Sequence, residues 1–132
     1  MSLVYYTIDE RSRLLTLHYG GAPTYQEWTV AMERALVDPA HQPGFSILLD
    51  RTGGIEPPSA IAITRVADFL AAHRDALGPC RMAAVVDGDV AYDLGQMLEQ
   101  LNRDTSVTFQ VFTDDAAARA WLGVGPGREG RD

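Results

Sequence analysis

The chain contains no lysine. All eleven basic residues are arginines, spread from Arg11 to Arg131 without clustering, against eighteen acidic residues and a net charge of −7. A nucleic-acid backbone or an anionic membrane surface is held by a concentrated basic face that releases counterions, so neither is an expected partner. Cysteine is almost as scarce. The single Cys80 excludes an intramolecular disulfide and supplies no CxxC or Cys/His metal spacing. At the start of an expected strand it reads as a buried, inert thiol.

Long apolar runs are missing too. None approaches the roughly 20 residues that cross a bilayer, so no transmembrane segment is expected. The opening MSLVYYTIDE lacks a basic segment followed by an apolar stretch and a small-residue cleavage site, which leaves the cytoplasm as the expected location. GxSxG and GxxxxGK motifs are absent, as are internal repeats and any dividing linker. His18, His41 and His73 stand outside any recognisable triad, and their spacing does not suit zinc. The expectation is a protein that is not an enzyme and carries no cofactor.

What is present suits one domain: 132 residues, 46% hydrophobic and 22% charged. A chain of this size buries about two-thirds of its unfolded surface, enough for one real core. Leu3 to Ile8 and Arg13 to Tyr19 read as two strands around the polar Asp9–Ser12, an N-terminal hairpin. Thr24 and Glu27 form a capping box ahead of a helix from about Tyr25 to Val37, with Trp28, Ala31, Met32, Ala35 and Leu36 on one face. Phe45–Leu49 is a short run apolar on both faces, hence a covered central strand.

Ser59 is the expected N-cap of a second helix reaching about Leu77, with Ile63, Val66, Ala67, Leu70 and Leu77 inward. Cys80–Val86 follows as another central strand. Val90, Leu94, Met97, Leu98 and Leu101 mark a third helix. Thr108–Phe112 is the last strand, and Asp114 starts a short helix carrying Ala117, Ala118, Trp121 and Leu122. The order β-β-α-β-α-β-α-β-α predicts a single α/β domain over residues 1–122. Its five-stranded sheet would be mixed but mostly parallel, opened by an antiparallel hairpin and covered by about four helices. Residues 123–132 read as a disordered tail.

From Val4 to Leu122 this pattern resembles the STAS-like superfamily, in its SpoIIAA-like branch. The residues that carry the resemblance are the hairpin, Ile47–Asp50 before a loop into a helix, Arg81–Asp87 before a helix bearing Met97, and the closing Val111–Ala116 with Trp121 and Leu122. The resemblance implies a small non-catalytic regulatory or interaction module that binds a protein partner or associates with itself. Antagonist members of that family are switched by phosphorylation of a serine at the start of the helix after the central strand, inside an Asp-Ser-Ser-Gly-like motif. Here Asp50–Ser59 reads DRTGGIEPPS without that motif, and Ser59 stands near the matching helix start. The branch is also similar to CRAL-TRIO lipid-transfer domains, which implies a small apolar molecule as an alternative ligand.

Three constellations bear on function. Asp50, Arg51, Thr52, Gly53 and Ser59 make a loop and helix start that reads either as a plain connection or as a phosphoryl or other anion site. Pro57 and Pro58 remove two donors from it. Tyr25, Trp28, Met32, Tyr92 and Met97 read either as core or as the wall of an apolar pocket. Asp50, Asp87 and Asp114 each end an expected parallel strand, the edge where open α/β sheets bind ligands. They read either as local caps and loop openers or as oxygen ligands for a divalent ion in a metal-dependent enzyme.

Overall fold

The first two strands, β1 (Val4–Asp9) and β2 (Leu14–Tyr19), pair antiparallel with Val4 opposite Tyr19 and Asp9 opposite Leu14. Asp9 Oδ1 accepts from the amides of Arg11 and Ser12, and Arg13 takes a left-handed conformation (φ 57°) to close the turn. That is why β2 begins one residue later than its composition suggests. The computed structural model describes residues 3–103 and 105–125. Most of the expected tail, residues 126–132, therefore lies outside the described residues.

Helix α1 (Tyr25–Leu36) starts at the capping box: Thr24 Oγ1 accepts from Glu27 N at 3.1 Å, and Glu27 Oε1 accepts from Thr24 N at 2.9 Å. After β3 (Ser46–Arg51) the expected single helix is two, α2 (Ala60–Ala72) and α3 (Arg74–Leu77). The break falls at His73, whose backbone (φ −112°, ψ 27°) leaves the helical region. Its backbone N–H and its ring Nδ1 both meet the Phe69 carbonyl, at 3.0 and 2.9 Å, while its ring stacks on Phe69. Then follow β4 (Cys80–Val86), α4 (Asp89–Leu101), β5 (Val107–Phe112) and α5 (Asp115–Leu122).

The sheet order is β1-β2-β3-β4-β5, with β2 to β5 parallel. Because each parallel strand is added beside its predecessor, right-handed crossovers put α1, α2 and α4 on one face. The main core lies there, where Trp28, Met32, Leu70, Leu77 and Leu98 meet Leu15, Leu17, Ile47 and Met82. Helix α5 folds back onto the other face, packing Ala118 and Leu122 on Leu14, Leu48, Ala83 and Val85. Among the described residues no helix is long and apolar enough to cross a membrane.

Two helices bury faces that apolar periodicity alone does not define. Helix α4 buries Ala91, Gly95 and Leu98, while Val90 is 63% and Leu101 40% exposed. The cause is Gly95: a Cβ there would stand 2.5 Å from Val111 Cγ2, so α4 approaches β5 at the glycine and the apolar stripe turns with it. In α2 the buried set is Ile63, Phe69 and Leu70, with Val66 and Ala67 only partly covered. Phe69 turns inward to meet the Trp28 ring edge-on, centroids 5.0 Å apart.

Candidate functional site

Strand alternation sets the floor of the site. His18 pairs with Asp50 and Arg51 with Val86, so Tyr19, Arg51 and Val86 form one row across the C-terminal edge of the helix-covered face. The row behind it is Leu17, Leu49, Ala84 and Val111. Ala84 is small, and the helices above it present Ala62, Ala91 and Gly95. Short side chains on both layers leave a cavity of about 420 Å³ between the sheet and α1, α2 and α4, open at the strand ends. Its deep wall is apolar: Trp28, Leu49, Ile63, Leu98 and Phe109.

The polar groups of the cavity are Tyr19, Thr24, Tyr25, Arg51, Glu56, Ser59 and Arg65. The Arg51 guanidinium lies over the Tyr19 ring, 4.5 Å from its centroid, and one Nη donates to the Glu56 carbonyl at 2.8 Å. Glu56 N in turn donates to the Gly21 carbonyl at 2.9 Å, tying the 51–59 loop to the segment before α1. Burial pushes the Tyr19 phenol up to about 12; the Arg51 charge and hydrogen bonding from Arg51 and Trp28 oppose the rise without cancelling it. Tyr19 thus presents a protonated hydroxyl at neutral pH. On the facing side the Tyr25 hydroxyl donates to the Arg65 carbonyl at 3.3 Å, and the Arg65 guanidinium sits 5.9 Å over the Tyr25 ring.

The sequence-defined sets divide. Of the apolar candidates, Tyr25 and Trp28 line the cavity. Met32 is fully buried in the core, and Tyr92 and Met97 pack partly covered against that core; none of the three is part of the lining. Of the loop candidates, Arg51 and Ser59 line the cavity. Asp50 falls on the opposite face of the sheet and its Oδ1 accepts from Thr52 N and Oγ1. Gly53 N donates to Asp87 Oδ2 at 2.8 Å, and Gly53 and Gly54 are left-handed (φ 92° and 78°), which is what the turn requires of glycine. Ser59 is exposed and caps α2, its Oγ accepting from Ala62 N at 3.1 Å.

The strand-end carboxylates are each engaged locally: Asp50 with Thr52, Asp87 with Gly53, and Asp114 as N-cap of α5 through Ala117 N. Asp89 does not cap α4; Gly88 holds that position and Asp89 lies in the first turn. Among the described residues no three His, Cys, Asp or Glu side chains gather as a metal site. His18 lies on the far face beside Thr7 and Tyr5, and no histidine lines the cavity. Burial pushes the Cys80 thiol up to about 11, which keeps it protonated.

Tyr19, Ile63, Ala84, Gly95 and Phe109 belong to the site without having been singled out by sequence. Alternation from Leu15 and Leu17 would have placed Tyr19 beside Arg51. Inward alanines, by contrast, leave no local signal of a void.

No family model matches the chain, and no significant match was found among curated proteins. Among solved structures it is similar to an uncharacterized protein of the DUF3478 family with a SpoIIAA-like fold from Shewanella loihica PV-4. The TM-score is 0.58 at 22% sequence identity, over 92% of this chain and 97% of that one. With the strand order and the single antiparallel hairpin described above, the chain has a SpoIIAA-like α/β fold.

Proposed function

We propose that this chain is a non-catalytic binding module that takes up a small, largely apolar molecule in the cavity between its sheet and α1, α2 and α4. The observation that carries the reading is the cavity itself: about 420 Å³, with an apolar inner wall and a few polar groups confined to one end. Small-molecule sites fall at roughly 300–1,000 Å³ with that division of surface, and in open α/β sheets they lie beyond the carboxyl ends of the strands. Its ionisable lining groups are tyrosines, two arginines and Glu56, with no histidine or cysteine poised to move a proton or attack a bond.

A module acting through a protein partner or self-association calls for a contiguous exposed apolar patch. The most exposed large apolar side chains are Val37, Ile61, Val90 and Tyr5, one each at the end of α1, on α2, on α4 and on β1. A handful of exposed apolar side chains is ordinary for a protein surface. The cavity therefore supports the ligand reading more strongly than the surface supports the interaction reading.

Native mass spectrometry of the purified protein tests this. The expected result is a noncovalent adduct, released on denaturation and missing from Ala84→Leu, whose larger side chain fills the cavity floor; Ala62→Leu is the equivalent from the helix side. Adduct-free protein that elutes as a defined oligomer would overturn the reading in favour of an interaction module.

A further inference from the structure

The charge at the cavity mouth is opposite to that of the whole chain. The protein carries −7, yet the lining holds two guanidinium groups, Arg51 and Arg65, against one carboxylate, Glu56. Among the described residues no carboxylate forms an ion pair with either lining arginine. Arginine suits anion recognition at the edge of an apolar cavity, because its donors are directional and its charge is permanent.

The geometry holds Arg51 rather than leaving it to search. Its guanidinium is stacked on Tyr19 and one Nη is fixed on the Glu56 carbonyl, while that peptide is anchored through Glu56 N to Gly21. The fork also hydrogen-bonds the Tyr19 side chain, which fixes its plane beside that ring and leaves its other N–H groups toward the cavity mouth. Tyr19 supplies a hydroxyl on the same row. The first turn of α2 lines the same wall through Ser59, Ile61 and Ala62, and its macrodipole adds positive potential. Two arginines and one glutamate leave one positive charge, which matches a singly charged head. Everything behind that row, from Trp28 to Phe109, is apolar.

We infer that the ligand is a monoanionic amphiphile: a carboxylic acid whose apolar body fills the cavity and whose carboxylate is received by Arg51 beside Tyr19. The inference rests on the ligand-binding reading above and adds the chemical class of the ligand. A carboxylate fits the fork of Arg51 because two parallel N–H···O bonds match its planar geometry. Glu56 repels any head that strays toward it, which directs the anion to the Tyr19 side.

The test uses the full chain carrying Trp121→Phe. Trp28 is then the sole indole, since the sequence has two tryptophans, and it forms part of the cavity wall. Decanoate and decanol, which differ in the head alone, are titrated at neutral pH while Trp28 emission is followed. Decanoate is expected to bind about tenfold or more tightly than decanol, as a charge-assisted hydrogen bond would give. Arg51→Met, with Arg51→Gln as a polar alternative should the first misfold, is expected to erase that difference by weakening decanoate alone. Equal binding of the two probes overturns the anionic class and leaves the cavity reading standing. Binding of neither overturns both. Should both Arg51 variants misfold, the comparison of the two heads on the parent protein decides alone.

Discussion

Arg51 and Tyr19 lie side by side at the ends of neighbouring parallel strands, the guanidinium carbon 4.5 Å from the ring centroid. The contact follows from register: His18 stands opposite Asp50, so the next residue on each strand turns to the helix-covered face. A cation over a tyrosine face is worth about 0.5–1 kcal/mol when partly exposed. A cycle of Tyr19→Leu, Arg51→Met and the double variant, followed by urea unfolding, should return a coupling free energy of about that size. Arg51→Lys should not restore it fully, because an ammonium has no planar face to stack and no fork to hold both the Glu56 carbonyl and a ligand. Additive single effects would mean that the stacking carries no stability.

Ser59 joins the loop to α2 and stands at the same mouth. Ser59→Ala removes the acceptor used by Ala62 N and should lower stability by about 1 kcal/mol in urea. Ser59→Asp keeps the acceptor and places a negative charge where the helix dipole favours it, so stability should stay at the parent level or rise by about 0.3–1 kcal/mol. The same charge should weaken binding of an anionic probe severalfold while leaving a neutral one unaffected. A loss of stability in Ser59→Asp as large as in Ser59→Ala would show that the cap is not what Ser59 contributes.

How much of this was legible in the sequence depends on which physical signal each element leaves. The Thr24–Glu27 capping box and the strand Cys80–Val86 were read with their observed bounds, because a cap has fixed spacing and a run of apolar residues between Pro79 and Asp87 has one interpretation. The hairpin and the α5 cap at Asp114 were equally open. The break at His73 was not, since it is a change of backbone angles at a single residue that interrupts no apolar pattern. The helix α4 was legible from its apolar periodicity, and Leu94, Met97 and Leu98 do pack on the core, but periodicity gives no weight to Gly95, whose missing side chain lets α4 close on β5 and leaves Val90 and Leu101 exposed. The same blindness hid the cavity: Trp28 and Tyr25 were visible, whereas Ala62, Ala84 and Ala91, whose smallness makes the space, were not.

Gly95 offers a direct check on that explanation. In an isolated helix Gly→Ala is worth about 1 kcal/mol of stabilisation. Here the added methyl would stand 2.5 Å from Val111 Cγ2 and 2.6 Å from Val111 Cβ, both inside van der Waals contact, and overpacking of that kind costs about 1–3 kcal/mol. Net of the propensity gain, Gly95→Ala should therefore destabilise by up to about 2 kcal/mol. Combining it with Val111→Ala should recover part of that loss, read as strong non-additivity in urea unfolding. A stabilised Gly95→Ala would mean that α4 can move off β5 at little cost.

His41 should make stability depend on pH near neutrality. The side chain is 7% exposed, its ring stands edge-on to Phe45, Nε2 lies 3.4 Å from the Ala76 carbonyl and Nδ1 has no partner. Burial holds its pKa below the ordinary 6.5, with the Ala76 carbonyl and the Asp38 charge working weakly in the other direction. The unfolded chain therefore binds a proton at a higher pH than the folded one, and stability rises with pH across that interval. The contribution is fully present above about pH 6.5 and is lost as pH falls from there toward the folded value. Carboxylates act lower: Glu27 and Asp38 are held below their usual values by backbone hydrogen bonds from Thr24 and Ala40, so what they contribute is lost only in the acid carboxylate range. His41→Leu removes the titrating group and the unpaired Nδ1 at similar volume. Between pH 7 and 5 the parent's urea midpoint should fall more steeply than that of His41→Leu, and parallel profiles would show that the folded state accepts the proton at His41 without penalty.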